Sequence, residues 1–191
     1  MTQKELMLSG QEYNYKDDQL DAERLFAEDL VTQYNQAGPQ EIDKRNAILK
    51  KLLGSQKGNV FVKQPFYCDY GYNIHIGADF FSNFNFTVLD EAKVTIGDNV
   101  LVGPNVSIYT VNHAVNIEKR NAGIEYAKTV SIGNNVWIGG NVVILQGVTI
   151  GDNSIVGAGS VVTKSVPANV LAAGNPCKVI RELTDQDLFG K

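Results

Sequence analysis

The chain of 191 residues is 43% hydrophobic and 20% charged, with a net charge of −4. That length suits one domain with a small appendage, and the composition excludes a disordered or collagen-like chain. The acidic total argues against general nucleic-acid binding, two cysteines are too few for a disulfide scaffold, and nothing reads as a signal peptide or membrane span. A soluble cytoplasmic protein is the expectation.

Residues 1–57 predict a helical arm. Phe26, Leu30 and Tyr34 fall on one helical face with Leu25 and Val31 beside them, and Asp21 stands ahead as a candidate N-cap. Ile42, Leu49, Leu52 and Leu53 form a second stripe that ends at Gly54, and Gly38-Pro39 reads as the connection. An arm this short cannot hold a core alone, so it must pack on something larger.

The remainder, 58–191, reads as one β-rich unit. From about Ile74, short β-type segments separated by Gly, Asn and Asp fall into a repeat of six residues. The run is unbroken from Ile132-Gly133-Asn134-Asn135-Val136-Trp137 to Val162-Thr163-Lys164-Ser165-Val166-Pro167, and two earlier units begin at Ile96 and Val102. The first position is Ile or Val, whose branched side chain packs inward on a pleated surface. The fifth is mostly Val or Ser, small enough for a tight interior. The fourth is Asn or Gly (Asn99, Asn105, Asn135, Asn141, Gly147, Asn153, Gly159), the residues that enter the left-handed region at least cost. Each unit is a short strand and a corner. Three units close a triangular turn, and stacked turns bury an aliphatic column. A β-sandwich with Gly-rich turns has no reason to keep such a beat.

The beat fails after Ile108 and resumes at Val130, so a loop of about 112–129 is expected to leave the coil. Functional residues gather on such excursions, where a rigid scaffold positions them. His113 stands at its mouth. The other histidine, His75, lies between Ile74 and Ile76 and reads as an outward strand residue.

The hexads resemble the repeat of left-handed parallel β-helices, and the left hand rests on that resemblance alone. From about Tyr13 to Leu183 the chain resembles the maltose and galactoside O-acetyltransferases, closest to the maltose branch. The resemblance is carried by Cys68-Asp69-Tyr70-Gly71-Tyr72-Asn73-Ile74, Asn83-Phe84-Asn85, Asn112-His113, residues 132–140 and Gly174-Asn175-Pro176-Cys177-Lys178-Val179-Ile180, together with the arm. It implies a mainly β fold: a left-handed parallel β-helix with an N-terminal helical arm and an extruded loop. It also implies transfer of acetyl from acetyl-CoA directly to a sugar hydroxyl, without a metal.

In that resemblance His113 matches the general base, a role imidazole suits because its ordinary pKa is about 6.5. Asn83 matches an amide beside the reacting centre, and Gly140 offers a backbone N–H there. Asp17, Asp69, Glu91 and Glu125 match positions that recognise the acceptor, since a carboxylate accepts from two vicinal hydroxyls. Ala158, Thr163, Lys164, Lys178 and Arg181 match the path of CoA, the cations meeting its phosphates, and Trp137, which projects from the outer side of the coil, reads either as a flank of the CoA channel or as a subunit contact. Lys178 stands where relatives often carry Arg, and Ala114 follows His113 where they usually carry Pro, which is expected to loosen the loop. The resemblance further implies a homotrimer with active sites between subunits, and apolar residues such as Val143, Leu145 and Ile155, which face outward, fit such contacts.

The nearest alternative is a hexapeptide acyltransferase acting on an antibiotic, an amino sugar or serine, against which the Asp69 segment and the arm lean. A γ-type carbonic anhydrase needs three histidines for each zinc, and this chain has two. An ice-binding solenoid needs a ladder of Thr pairs that the sequence lacks.

Overall fold

The computed structural model describes residues 1–190. The arm consists of α1 (Gln3–Leu8), β1 (Tyr13–Asn14), α2 (Asp18–Gln36) and α3 (Ile42–Leu52). Asp17, not Asp21, caps α2: its carboxylate accepts from the Gln19 and Leu20 N–H groups, both at 3.1 Å. Asp21 instead pairs with Arg24 one turn on. The buried face of α2 is Leu20, Ala27, Leu30, Val31 and Tyr34, while Leu25, Phe26 and Ile42 are exposed. Docking sets this rotation. Tyr34 donates its hydroxyl to the Val62 carbonyl at 2.6 Å and Arg45 donates to the same oxygen at 2.8 Å, which turns Leu25 and Phe26 outward.

Fifteen short strands then wind five complete turns. They run β2 (Ser55–Gln56), β3 (Val60–Val62) and β4 (Phe66–Cys68); then β5 (Ile74–Ile76), β6 (Phe80–Ser82) and β7 (Phe86–Leu89); then β8 (Val94–Ile96), β9 (Leu101–Val102) and β10 (Ser107–Tyr109). Here the chain leaves the coil through β11 (Val111–His113), α4 (Ile117–Asn121) and β12 (Ile124–Ala127). It returns as β13 (Val130–Ile132), β14 (Trp137–Ile138) and β15 (Val143–Ile144), followed by β16 (Thr149–Ile150), β17 (Ile155–Val156) and β18 (Val161–Val162). A hairpin of β19 (Val170–Ala173) and β20 (Lys178–Glu182) and the helix α5 (Asp185–Phe189) finish the chain. Strands one turn apart pair in parallel and give three faces: β2-β5-β8-β13-β16, β3-β6-β9-β14-β17-β19 and β4-β7-β10-β15-β18.

The repeat positions do what their chemistry requires. Ile96, Val102, Ile108, Ile132, Ile138, Ile144, Ile150, Val156 and Val162 are each at most 3% exposed and form the central column. Phe66, Phe80 and Phe86 widen it toward the arm, whose Leu30, Leu49 and Leu52 close that end. Burial of each large aliphatic side chain contributes about 1.5–3 kcal/mol. The corner residues Asn99, Asn105, Asn135, Asn141 and Asn153 hold φ between 56° and 60°, and Gly147 and Gly159 lie at 75° and 73°. Their amides also bond from turn to turn, as Asn99 to Asn135 at 3.2 Å and Asn135 to Asn153 at 2.9 Å, which locks the register. At Gly139 a side chain is excluded outright, because a Cβ would lie 2.5 Å from the Ala158 nitrogen.

The faces differ outside. The first presents Ser55, His75, Thr95, Ser131 and Thr149 in register, all polar. The second presents Phe61, Phe81, Leu101, Trp137, Ile155 and Leu171, all apolar. Phe61, Leu101 and Trp137 are 43%, 50% and 54% exposed.

Candidate active site

The excursion is an ordered hairpin. β11 pairs antiparallel with β12, and β12 pairs antiparallel with β1 of the arm. Cross-strand register sets His113 opposite Glu125 and Glu125 opposite Tyr13. Side chains opposite one another across strands share a face of the sheet, so the three groups stand in one row. His113 Nδ1 lies 3.2 Å from Glu125 Oε1, and the Tyr13 hydroxyl donates to Glu125 Oε2 at 2.7 Å. The Tyr15 ring meets the imidazole edge-on with centroids 6.0 Å apart. Ala114 is tied into this hairpin. Its N–H, which a proline would lack, donates to the Ile124 carbonyl at 3.0 Å, and the residue is buried.

Burial divides the row. Tyr13 and Glu125 are buried, whereas the His113 side chain is 57% exposed. Burial, then the bond to Glu125, pushes the Tyr13 hydroxyl up, so it stays protonated and donates. With Glu125 accepting at Nδ1, the Nδ1–H tautomer is favoured and the Nε2 lone pair is left for another donor. Glu125, expected to read the acceptor, therefore contacts the imidazole.

A second group of acids shares this corner of the prism. Asp69 follows β4, Asp90 and Glu91 follow β7, and Thr110 follows β10 one turn below. Asp90 accepts the backbone N–H groups of Asp69, Tyr70 and Asn73 at 3.2, 2.9 and 3.3 Å. Its carboxyl is nonetheless pushed up to about 6, by burial first and then by Asp69, against those bonds. Burial and then Asp69 hold the Glu91 carboxyl well above its usual range. Sequence reasoning missed Asp90 and Tyr13. For Asp90 the signal was there: Phe86, Val88 and Asp90 alternate inward, and an acid at such a position needs partners. Tyr13 gains its partners from residues more than a hundred positions away, which no local pattern reveals.

Asn83 and Gly140 lie elsewhere. Asn83 N–H donates to the Val102 carbonyl, Gly103 N–H to Ile138 and Gly139 N–H to Val156, so Asn83, the Gly139-Gly140 pair and Ala158 line the corner between the second and third faces. Asn83 Oδ1 accepts from the Phe84 N–H at 2.9 Å, which leaves its amide N–H groups to donate outward. Among the described residues no hydrogen bond joins Asn83 to His113. Thr163 and Lys164 are exposed at the His113 corner, farther along the coil. Lys178 is exposed on β20, and Arg181 forms a two-pronged pair with Asp187 at 2.7 and 2.9 Å rather than standing free. That pair borders a groove of about 560 Å³ on the second face, lined by Trp137, Ile155, Leu171 and the α5 residues Leu188 and Phe189. Asp17 spends Oδ1 on the helix cap. Among the described residues no three His, Cys, Asp or Glu are grouped to hold a metal.

Comparison with known proteins agrees with this layout. Residues 6–57 match the family described as the maltose acetyltransferase hexapeptide capping motif, and 129–164 match the bacterial transferase hexapeptide. The chain is 50% identical over 168 residues to the galactoside O-acetyltransferase of Escherichia coli strain K12, covering 88% of this chain and 83% of that protein. A maltose O-acetyltransferase from Clostridium difficile 630 superposes with a TM-score of 0.94 at 50% identity, over 96% of this chain and 98% of that one. A galactoside acetyltransferase in complex with coenzyme A gives 0.94 at 46% identity, over 98% and 94% of the two chains. Coil, capping arm and hairpin are thus shared along nearly the full length, and the chain belongs to the maltose/galactoside O-acetyltransferase family of hexapeptide-repeat acetyltransferases.

Proposed function

We propose that this protein is an acetyl-CoA-dependent O-acetyltransferase acting in the cytoplasm on a sugar hydroxyl of maltose, glucose or galactoside type, with His113 as general base. The observation that carries the reading is the row Tyr13–Glu125–His113, which holds Nδ1 and leaves Nε2 exposed. The acceptor hydroxyl gives its proton to Nε2 as its oxygen attacks the thioester carbon. Negative charge then develops on the carbonyl oxygen, where the outward Asn83 amide, helped by the Gly140 N–H, is suited to donate. The C–S bond breaks as the carbonyl reforms, and the imidazolium returns its proton to the leaving sulfur. Products are the acetyl ester and free CoA. A buried carboxylate on Nδ1 favours the imidazolium in the transition state, where it matters. Asp69 is suited to accept from the acceptor's hydroxyls, and Lys164, Lys178 and Trp137 to flank CoA, which Arg181 meets only by giving up its pair with Asp187.

Assembly as a homotrimer belongs to the same reading. His113 and Asn83 leave different corners of one prism, so two halves of a site meet when a neighbour's Asn83 corner approaches this chain's His113. A head-to-tail ring closes such a contact, and the apolar second face supports it. Incubation with acetyl-CoA and a panel of sugars tests the reaction. Thiol release with a matching gain of one acetyl group on the sugar is expected; thiol release with every sugar left unmodified would contradict it.

A further inference from the structure

The first face of the prism carries a polar groove that acetyl transfer leaves unused. It encloses about 320 Å³ where β2, β5 and β8 lie side by side, and Ser55, His75 and Thr95 cross it in register. Ser55 Oγ meets His75 Nδ1 at 2.9 Å, which fixes the ring and, among the described residues, leaves Nε2 without a partner. A hydroxyl that donates to Nδ1 keeps the ring hydrogen on Nε2, where it can donate in turn. Gly54 makes room for this ring, because a Cβ there would lie 2.9 Å from His75 Cε1. Lys57 follows β2 and Lys93 precedes β8, so the two lysines border the groove at opposite ends of its strands. Both are exposed, and among the described residues neither ammonium has a salt-bridge partner or a hydrogen bond. The carboxylate on the groove is Asp98, whose Oδ1 already accepts the Ala78 N–H at 2.8 Å. On a chain of net charge −4, two uncommitted cations and an open imidazole nitrogen thus share one concave surface.

We propose that this groove binds a phosphate group, free or in a small phosphate ester, with Lys57 and Lys93 neutralising its charge and His75 Nε2–H and the Thr95 hydroxyl donating to its oxygens. A phosphate presents three strong acceptor oxygens, which suits donors that converge from neighbouring strands. Burial, then Lys93, pushes the His75 imidazole below its ordinary value, so the empty groove favours the neutral ring. An arriving anion supplies the opposite charge that the ring lacks, so binding draws a proton onto His75 and tightens as pH falls. None of these groups belongs to the row at His113 or to the Asn83 corner, so the assignment stands whatever the acetyl acceptor.

The chain has two histidines, so in His113→Ala the imidazole signal of His75 stands alone and identifies itself in wild type. Inorganic phosphate, added at constant ionic strength with chloride as the balancing ion, should move the His75 Cε1–H resonance along a saturable curve. It should also raise the pH at which His75 titrates. Lys57→Gln and Lys93→Gln, both at exposed positions, should each weaken that binding about tenfold, as befits a lost bond to a charged group. Glycerol phosphate distinguishes the two sources: saturation by both compounds assigns the groove to phosphate esters as well, and saturation by inorganic phosphate alone assigns it to the free ion. A His75 resonance that responds to phosphate no more than to chloride overturns the proposal, as does a curve that neither lysine substitution weakens.

Discussion

A carboxylate bonded to one nitrogen of an imidazole fixes the ring and raises the basicity of the other nitrogen. Glu125→Gln keeps the shape and removes the charge, so kcat should fall about tenfold or more while the KM for acetyl-CoA stays unchanged. Tyr13→Phe deletes only the 2.7 Å bond to Glu125 and should cost about 1–2 kcal/mol of stability, read by urea denaturation. Asp90 makes a separate prediction. Its native carboxyl titrates near 6 against 3.8 in the free residue, so between those values the unfolded chain releases a proton the native chain retains. Stability should therefore fall as pH rises through that window, by roughly 3 kcal/mol, and Asp90→Asn should lose most of the fall. A broken repeat and a segment resembling the family single out His113 and Asp69 in the sequence, and the fold sets both at the corner from which the excursion leaves. Glu125 was expected against the acceptor alone, since its bond to His113 depends on a register that only the folded hairpin defines.

At the level of the element, one side of the coil is an inward β-branched residue, a left-handed corner and a small residue to fit the bend. Asn135 tests the corner. Its φ of 56° suits Asn or Gly, and its amide bonds to Asn99 above and Asn153 below. Asn135→Ala should cost about 1–2 kcal/mol, and Asn135→Gly less because only the amide ladder is lost. Equal cost for both would assign the residue's role to its hydrogen bonds alone. The repeat was legible because each position answers to chemistry within six residues. The arm was less so. Leu25 and Phe26 fit a helical stripe, yet the docking bonds of Tyr34 and Arg45 to Val62 rotate α2 until they face solvent. The excursion looked like an open loop because its strands are satisfied partly by β1, a segment remote in sequence.

For the whole molecule, the prism has one polar face, one apolar face and two corners that, in the proposed reaction, each bring half of the site. A Trp137→Glu substitution, which sets a charge in the apolar stripe, should shift sedimentation from trimer toward monomer and reduce activity with it. Chains carrying His113→Ala or Asn83→Ala should each be nearly inactive alone, yet regain activity when co-assembled, since a mixed ring pairs an intact His113 with a neighbour's intact Asn83. Failure of the mixture would return both groups to one chain. The removal of His113 itself is the most direct measurement of all. With acetyl-CoA and the best acceptor of the panel, His113→Ala should release thiol at least about a hundredfold more slowly than wild type while binding CoA equally well. Equal rates in the two proteins would mean that the hydroxyl proton leaves by another route.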